Sequence, residues 1–196
     1  MKTTGIILAG GKNLRMGQNK AFLEVQGERI IERIRRIFTS LFEEVLLITN
    51  SPRDYLDLDL RIVTDLYRER GALGGIFTGL FHASFSHAFV TACDMPFLNK
   101  ELISHLVWLS PGYDIVIPRT DDGLQPLHAV YSQKCLPFIE DLLSKGNLKI
   151  LDFFHRVKRR EVPAGEITSL DPSLSSFLNL NSPEDLARIQ SLSEKD

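Results

Sequence analysis

Short apolar runs alternate with amphipathic stretches along most of this 196-residue chain, and this alternation restricts the folds open to it. The apolar runs predict buried strands at 5–9, 44–49, 61–64, 87–92 and 113–118. Apolar residues at helical spacing predict helices at 28–42, 75–85, 99–109, 134–145 and 183–192. Near-continuous apolar strands that alternate with helices are typical of an α/β fold. We therefore expect a mostly parallel sheet with helices on both faces.

Polar residues and glycines follow the predicted strands. Gly10 and Gly11 come after the first strand, Asn50 after the second, Asp65 after the third and Asp94 after the fourth. Open α/β sheets bind their ligands outside the carboxyl ends of the strands. We therefore expect a functional site at this edge of the sheet.

The composition restricts the kinds of partner that the protein can bind and indicates where in the cell it is located. Twenty-three Lys and Arg residues stand against 25 Asp and Glu residues, which leaves a formal net charge of −2. Such a chain has no global field to hold nucleic acid or an anionic membrane. Its apolar runs are far shorter than the roughly 20 residues of a membrane-spanning helix, and its two cysteines form no disulfide scaffold. We therefore expect a cytoplasmic protein with no nucleic-acid or membrane partner.

The length of the chain is typical of one domain with a small elaboration. We expect residues 1–196 to form a single domain. The least regular segment, 146–176, contains two glycines and two prolines, and we expect it to be a subregion of that domain.

A glycine-rich loop follows the first predicted strand and runs from Leu8 to Lys20 as LAGGKNLRMGQNK. Glycine lets the backbone approach a ligand closely, and consecutive N–H groups of such a loop can form a concave anion site. Arg15 and Lys20 add two positive charges beside it. Together these features are what a polyphosphate requires.

Two commoner phosphate-binding loops do not match this segment. A P-loop requires G-x-x-x-x-G-K-[ST], but Gln18 follows Gly17. A dinucleotide-binding loop requires G-x-G-x-x-G, which Gly10 and Gly11 do not supply. The alternative to a phosphate site is a surface turn with solvated basic side chains.

The loop resembles the signature of a known family. L-A-G-G-x-x-x-R-M-G-x-x-K is typical of the guanylyltransferases that make molybdopterin guanine dinucleotide, the MobA family, which are nucleotidyltransferases of glycosyltransferase-A-like fold. This resemblance implies a Rossmann-like fold and the transfer of GMP from GTP to molybdenum-molybdopterin, with release of pyrophosphate. It also implies contacts with other molybdenum-cofactor biosynthesis proteins and with molybdoenzyme chaperones.

Other segments carry the same resemblance. The sequence CDMP at 93–96 is similar to the family's C-D-[MT]-P, whose aspartate binds Mg²⁺. The sequence GALGGI at 71–76 is similar to G-P-L-[AG]-G-[IM], with Ala72 in place of the usual proline. Near the C-terminus, FLNLNSPE at 177–184 is similar to N-[VIL]-N-[ST]-P-E.

The resemblance implies a role for each matching residue. The residues expected at the GTP site are Leu8, Ala9, Gly10, Gly11, Lys20, Asn50, Asp65 and Asp94. We expect Asp94 to hold Mg²⁺, while Arg15 and Lys20 offset the charge of the departing pyrophosphate, so that these three residues are catalytic. Asn179 and Asn181 are candidates for contact with the second substrate.

Asp94 also suits a metal ion on physical grounds. A carboxylate just past a buried strand and beside a polyphosphate site is a natural ligand of Mg²⁺, which takes one or two protein carboxylates and fills its shell with phosphate oxygens and water. The alternative is that Asp94 caps the helix that begins near residue 99, although Asn99 suits that position. We expect Cys93 to be a buried apolar residue and not a nucleophile.

Three other functions stay open. The same chemistry could use CTP with molybdopterin or a sugar-1-phosphate as the acceptor, or the chain could be a non-catalytic GTP-binding adaptor. Molybdopterin cytidylyltransferases typically carry L-A-A-G, so Gly11 favours guanylyl transfer, as do the segments at 93–96 and 177–184. An adaptor could lose any of Arg15, Lys20 and Asp94, whereas this chain keeps all three.

Overall fold

A computed structural model of the protein describes residues 2–10, 19–180 and 185. The helices in this part of the chain are α1 (Ile30–Leu41), α2 (Gly71–His82), α3 (Lys100–Trp108), α4 (Leu136–Ser144) and α5 (Ala164–Thr168). The strands are β1 (Thr4–Leu8), β2 (Glu24–Val25), β3 (Glu28–Arg29), β4 (Glu44–Thr49), β5 (Arg61–Thr64), β6 (His87–Ala92), β7 (Ile115–Thr120), β8 (Gly123–Leu124), β9 (His128–Ser132) and β10 (Arg159–Val162). Short 3₁₀ segments occur at Lys20–Phe22, Pro52–Leu58, Gln133–Cys135, Ile150–Arg156 and Ser175–Phe177. The helix predicted at 183–192 lies outside the described residues, except for residue 185.

One large sheet dominates the described part of the chain, with the strand order β10-β7-β9-β6-β1-β4-β5. Strand β1 runs parallel to both β4 and β6, and β4 runs parallel to β5. Strand β10 is parallel to β7, whereas β9 is antiparallel to its neighbours β6 and β7. The short β8 pairs antiparallel with β7. The prediction of a mostly parallel sheet is confirmed.

Helices cover both faces of this sheet. On one face, α1, α3 and α5 pack in a buried cluster that includes Ile7 of β1. On the other face, α2 and α4 pack in a second cluster that includes Ile6 and Leu8. Successive residues of β1 therefore point to opposite faces and are buried on both, which explains its continuous apolar sequence.

Helix α1 begins two residues later than predicted. Its stripe of Ile30, Ile34 and Phe38 is buried as expected. Residues 28–29 instead pair with 24–25 as a small antiparallel hairpin. Gln26 and Gly27 between the two strands both have positive φ, as a type I′ hairpin turn requires. The hairpin turn therefore makes residues 28–29 a strand, although their sequence also fits the helical pattern.

Helix α2 begins at Gly71, four residues before the predicted start at 75. A Cβ atom on Gly79 would lie 2.7 Å from Cδ1 of Ile6, and one on Gly75 would lie 3.1 Å from Cδ2 of Leu8. These glycines therefore let α2 lie directly on β1. Tertiary packing outweighs the low helix propensity of the glycines in this segment.

The segment 146–176 adds an edge strand to the same sheet, because β10 pairs with β7. Five strands were not among the predicted elements: β2, β3, β8, β9 and β10. Three of the four residues of β10 are charged, and only Val162 is buried. The prediction that residues 1–196 form one domain stays a prediction. No helix in the described residues is long and apolar enough to cross a membrane.

Candidate active site

The carboxyl edge of the sheet opens beside β1. Along the chain the strands follow one another as β1, β4, β5 and β6, but in the sheet β1 lies between β6 and β4. The connection from β1 to β4 runs through α1 on one face, and the connection from β5 to β6 runs through α2 on the other. The two connections diverge at the boundary of β1 and β6, which is where open α/β sheets leave a ligand-binding crevice.

Backbone hydrogen bonds join the carboxyl ends of β1, β4 and β6 at this crevice. The N–H of Cys93 donates to the carbonyl oxygen of Leu8 (3.0 Å), and the N–H of Ala9 donates to Ile48 (2.8 Å). Leu8 and Ala9 are buried, whereas Gly10 is exposed. Apart from Gly10 and its chain neighbours, no described atom lies within 4 Å of the place where a Cβ of Gly10 would sit. The backbone thus leaves β1 at an open point, while Gly11 lies outside the described residues.

Lys20 and Asp94 meet at the crevice. Nζ of Lys20 is 3.9 Å from Oδ2 of Asp94, and 7% of the Lys20 side chain and 23% of the Asp94 side chain are exposed. Burial raises the pKa of the Asp94 carboxyl, and the positive charge of Lys20 opposes this shift. The structure brings together two of the three residues predicted to be catalytic. The third, Arg15, lies outside the described residues.

The Asp94 carboxylate fits a divalent cation. Burial penalises its negative charge, and a cation beside it would offset that penalty. In the described ranges 2–10 and 19–180, no three or more His, Cys, Asp or Glu side chains are grouped so that they could hold a metal ion. Mg²⁺ in nucleotide sites takes one or two protein carboxylates and completes its shell with phosphate oxygens and water, so Asp94 would suit such a cation once the nucleotide is bound.

The alternative role of Asp94 as a helix cap is wrong. The Oδ1 atom of Asn99 accepts a hydrogen bond from the N–H of Leu102 (2.9 Å) and caps α3 instead. The carbonyl oxygen of Asp94 accepts from the N–H of Leu180 (2.9 Å). This bond brings the exposed Asn179 to the same edge of the sheet. Asn181 lies outside the described residues.

Asn50 and Asp65 lie at the ends of β4 and β5. Asn50 is exposed, as a ligand-binding side chain must be before its ligand arrives. Asp65 is buried, and its Oδ1 accepts from the hydroxyl of Thr78 (2.7 Å) and the N–H of Tyr67 (3.0 Å). Asp65 therefore ties its loop to α2, and a contact of either residue with GTP stays a prediction.

Neither Cys93 nor His128 has the properties of a nucleophile or a base. Cys93 is buried, as predicted, and burial and the neighbouring Asp94 raise the pKa of its thiol to about 12. His128 is fully buried, and burial lowers its pKa to about 3. Both groups are therefore neutral near pH 7.

Sequence reasoning missed Asn19 and Tyr55. Nδ2 of Asn19 donates to the hydroxyl oxygen of Tyr55 (2.8 Å), while Oδ1 of Asn19 accepts from the N–H of Ala21 (3.1 Å). An asparagine before a short turn is a signal for an N-cap and could have been noticed. Nothing in the sequence around Tyr55 points to the loop.

Comparisons with known proteins agree with this arrangement. A family model described as the MobA-like NTP transferase domain matches residues 5–160. A probable molybdenum cofactor guanylyltransferase of Pelotomaculum thermopropionicum is 39% identical over 99% of this chain and 95% of its own length. A molybdenum cofactor guanylyltransferase of Desulfosudis oleivorans is 37% identical over 95% of this chain and 94% of its own.

A solved structure is also similar. The crystal structure of molybdopterin-guanine dinucleotide biosynthesis protein A from Archaeoglobus fulgidus matches with a TM-score of 0.86 at 28% identity. The match covers 99% of this chain and 100% of that one. The family match and this nearly full-length similarity show that the chain belongs to the family of MobA-like NTP transferase domains.

Proposed function

We propose that the protein is a nucleotidyltransferase that transfers GMP from GTP to molybdenum-molybdopterin. The products are molybdopterin guanine dinucleotide and pyrophosphate. The observation that carries this proposal is the Lys20–Asp94 pair at the crevice beside β1. The names of the relatives from Pelotomaculum and Desulfosudis support GTP as the nucleotide and the molybdenum cofactor as the acceptor.

The site binds GTP along the strand ends. The backbone of Leu8, Ala9 and Gly10 contacts the nucleoside, and the side chains of Asn50 and Asp65 lie nearby. Gly11 belongs to the same loop. The open space at Gly10 supports a close approach of the ligand to the backbone.

Lys20 and Arg15 act on the triphosphate. A phosphate oxygen of the acceptor attacks the α-phosphorus, and the bond from that phosphorus to the bridging oxygen of pyrophosphate breaks. The buried ammonium group of Lys20 offsets the charge that builds on the departing pyrophosphate, and low solvent exposure strengthens this interaction. The attacking phosphate is ionised at neutral pH, so the reaction requires no general base.

Nucleotidyltransferases of this family generally use a divalent metal ion, and we assign Mg²⁺ to Asp94. When bound, Mg²⁺ supplies neutralisation of phosphate charge. The partly buried carboxylate of Asp94 supports this assignment.

Asn179 and Asn181 are assigned to the second substrate. Other molybdenum-cofactor biosynthesis proteins and molybdoenzyme chaperones are proposed as further partners. A cytoplasmic location also belongs to the proposal, and two free buried cysteines support it.

Nucleotide-dependent pyrophosphate release tests the function. The protein is incubated with MgCl₂, molybdopterin-loaded material and either GTP or CTP, and the cofactor is then analysed by mass. We expect pyrophosphate and the guanine dinucleotide from GTP. Preference for CTP, or turnover with a sugar-1-phosphate, would assign a different transferase. GTP binding without pyrophosphate release would assign an adaptor.

Substitutions at the pair test the mechanism. We expect Asp94→Ala to lower kcat by roughly 100-fold or more, because the carboxylate for the cation is lost. Lys20→Ala should raise the Kd for GTP and lower kcat together. Lys2→Ala removes an exposed positive charge just before the amino end of β1, the opposite end of that strand from the crevice, and should leave both constants unchanged. Circular dichroism checks that each variant is folded. An active Asp94→Ala enzyme would remove the metal assignment.

A further inference from the structure

Contacts from other parts of the chain are needed to fix the turn that carries Lys20. It is a 3₁₀ segment of three residues, Lys20–Phe22, and so short a segment has few internal hydrogen bonds. Lys20 is nevertheless buried and lies 3.9 Å from Asp94. A lysine side chain has a long flexible stem that can adopt many rotamers in water, so this placement depends on what surrounds the turn.

Asn19 bridges this turn and another part of the chain. Its Oδ1 caps the turn by accepting from the N–H of Ala21 (3.1 Å). Its Nδ2 donates to the hydroxyl oxygen of Tyr55 (2.8 Å). The oxygen and the nitrogen of one amide group thus form hydrogen bonds with two different parts of the chain. The oxygen binds the backbone of the turn, and the nitrogen binds a side chain of the Pro52–Leu58 segment.

Tyr55 is a rigid anchor for this bridge. Only 1% of its surface is exposed, and its ring lies 5.0 Å from the ring of Phe22, the last residue of the turn. Ala21, Tyr55 and Cys93 belong to the same buried cluster. Burial raises the pKa of Tyr55, which keeps its hydroxyl protonated and neutral.

We propose that Tyr55 is a positioning residue that acts through Asn19 to hold Lys20 beside Asp94, where the ammonium group meets the phosphates of the nucleotide. This inference rests on the proposed function. The hydroxyl of Tyr55 fixes the amide of Asn19, the amide caps the turn, and the turn directs Lys20 into the crevice. Tyr55 itself does not touch the substrate.

Tyr55→Phe tests this role because it removes one oxygen and keeps the ring that packs on Phe22. We expect kcat/KM for GTP to fall about 2- to 10-fold, as for the loss of one hydrogen bond, with a higher KM for GTP. A loss of folded protein alone would lower kcat and leave KM unchanged, so the rise in KM identifies positioning. Asn19→Ser keeps a capping oxygen but is too short to reach Tyr55, and it should reproduce the effect.

Tyr131→Phe is the matched control. It also removes a buried hydroxyl, which donates to the carbonyl oxygen of Pro126 (2.8 Å), but it lies in the cluster on the opposite face of the sheet. KM for GTP should be unchanged in this variant.

A double-mutant cycle with Lys20→Ala decides the outcome. Once the side chain being positioned is gone, adding Tyr55→Phe should lower kcat/KM no further. An equal loss in both backgrounds, or an unchanged KM in Tyr55→Phe and Asn19→Ser, would overturn the inference. Failure of the proposed function is visible separately, as wild-type protein that releases no pyrophosphate from GTP. In that case, calorimetry measures the Kd for GTP of the same four proteins in place of kcat/KM. Wild-type protein that binds no GTP would overturn both proposals.

Discussion

His128 is a titratable residue in apolar surroundings. It is fully buried, with its ring edge-on to Phe89 and Phe177 at 5.0 Å. Neither ring nitrogen has a hydrogen-bond partner in the described part of the chain. Burial lowers the pKa of His128 to about 3, and the charge of Asp171 only partly opposes this. The folded protein therefore holds the imidazole neutral, while the unfolded chain exposes it.

This contrast predicts how stability depends on pH. Histidine in an unfolded chain titrates near pH 6.5, so the unfolded state binds more protons between pH 6.5 and about 3. The stability that neutral His128 contributes is fully present above pH 6.5 and is lost as the pH falls toward 3. At pH 5 we expect a loss of about 2 kcal/mol from this group.

Urea unfolding of His128→Leu at pH 5 and pH 7.5 measures this loss. The fall in unfolding free energy between the two pH values should be about 2 kcal/mol smaller than in the wild type. His155→Leu changes an exposed histidine and should keep the wild-type pH dependence. An unaltered pH dependence in His128→Leu would contradict a depressed pKa.

At the scale of elements, the contact of α2 with β1 depends on glycine. A side chain at Gly79 would meet Cδ1 and Cγ2 of Ile6 at 2.7 and 2.8 Å, closer than carbon atoms approach without displacement. Helix α2 would have to move away from β1, whose carboxyl end carries Leu8 and Gly10. The glycines of this segment therefore serve packing close to the crevice.

We expect Gly79→Ala to destabilise the protein by about 1–3 kcal/mol through overpacking, although alanine is the better helix former. Gly165→Ala is the matched control, because outside its chain neighbours and the backbone of α5 no described atom lies within 4 Å of the added methyl group. It should be neutral or slightly stabilising. Thermal unfolding followed by circular dichroism separates the two variants, and equal melting temperatures would refute the packing argument.

At the scale of the whole molecule, the segment 146–176 contributes side chains to the buried clusters on both faces of the sheet. Phe153 and Phe154 pack in the cluster of α2 and α4, whereas Val162 and Ile167 pack in the cluster of α1 and α3. Because its side chains complete two cores, we expect this segment to unfold together with the rest of the chain and not as a separate unit.

Phe154→Ala tests this cooperativity. Phe154 is buried beside Tyr131, and the cavity left by its removal should lower the unfolding free energy by about 3–5 kcal/mol. Urea unfolding is followed by far-UV circular dichroism and by the fluorescence of Trp108, which lies in α3 on the opposite face. The two probes should give one shared, earlier transition. An early transition seen by one probe alone would mean that 146–176 is an independent unit.

Patterns within short segments were enough to predict much of this molecule. The predicted strands at 44–49, 61–64 and 87–92 have the observed bounds. The strands at 44–49 and 87–92 are mostly buried, and strands that are buried on both faces are largely apolar. Asn99 was predicted correctly as a cap. Lys20 and Asp94 were chosen as candidates from their places after predicted strands and in motifs, and the structure brings them together. Such features depend on residues close together in the chain, so the sequence by itself determined them.

Contacts between distant segments decided the rest. The short distance between Lys20 and Asp94, the bond from Asn19 to Tyr55 and the engagement of Asp65 by Thr78 exist only once the strands are side by side. The early start of α2 and the edge strand β10 likewise depend on the surfaces they meet, namely β1 and β7. The physical reason is that local propensity amounts to tenths of a kcal/mol per residue, and burial against a distant partner outweighs it.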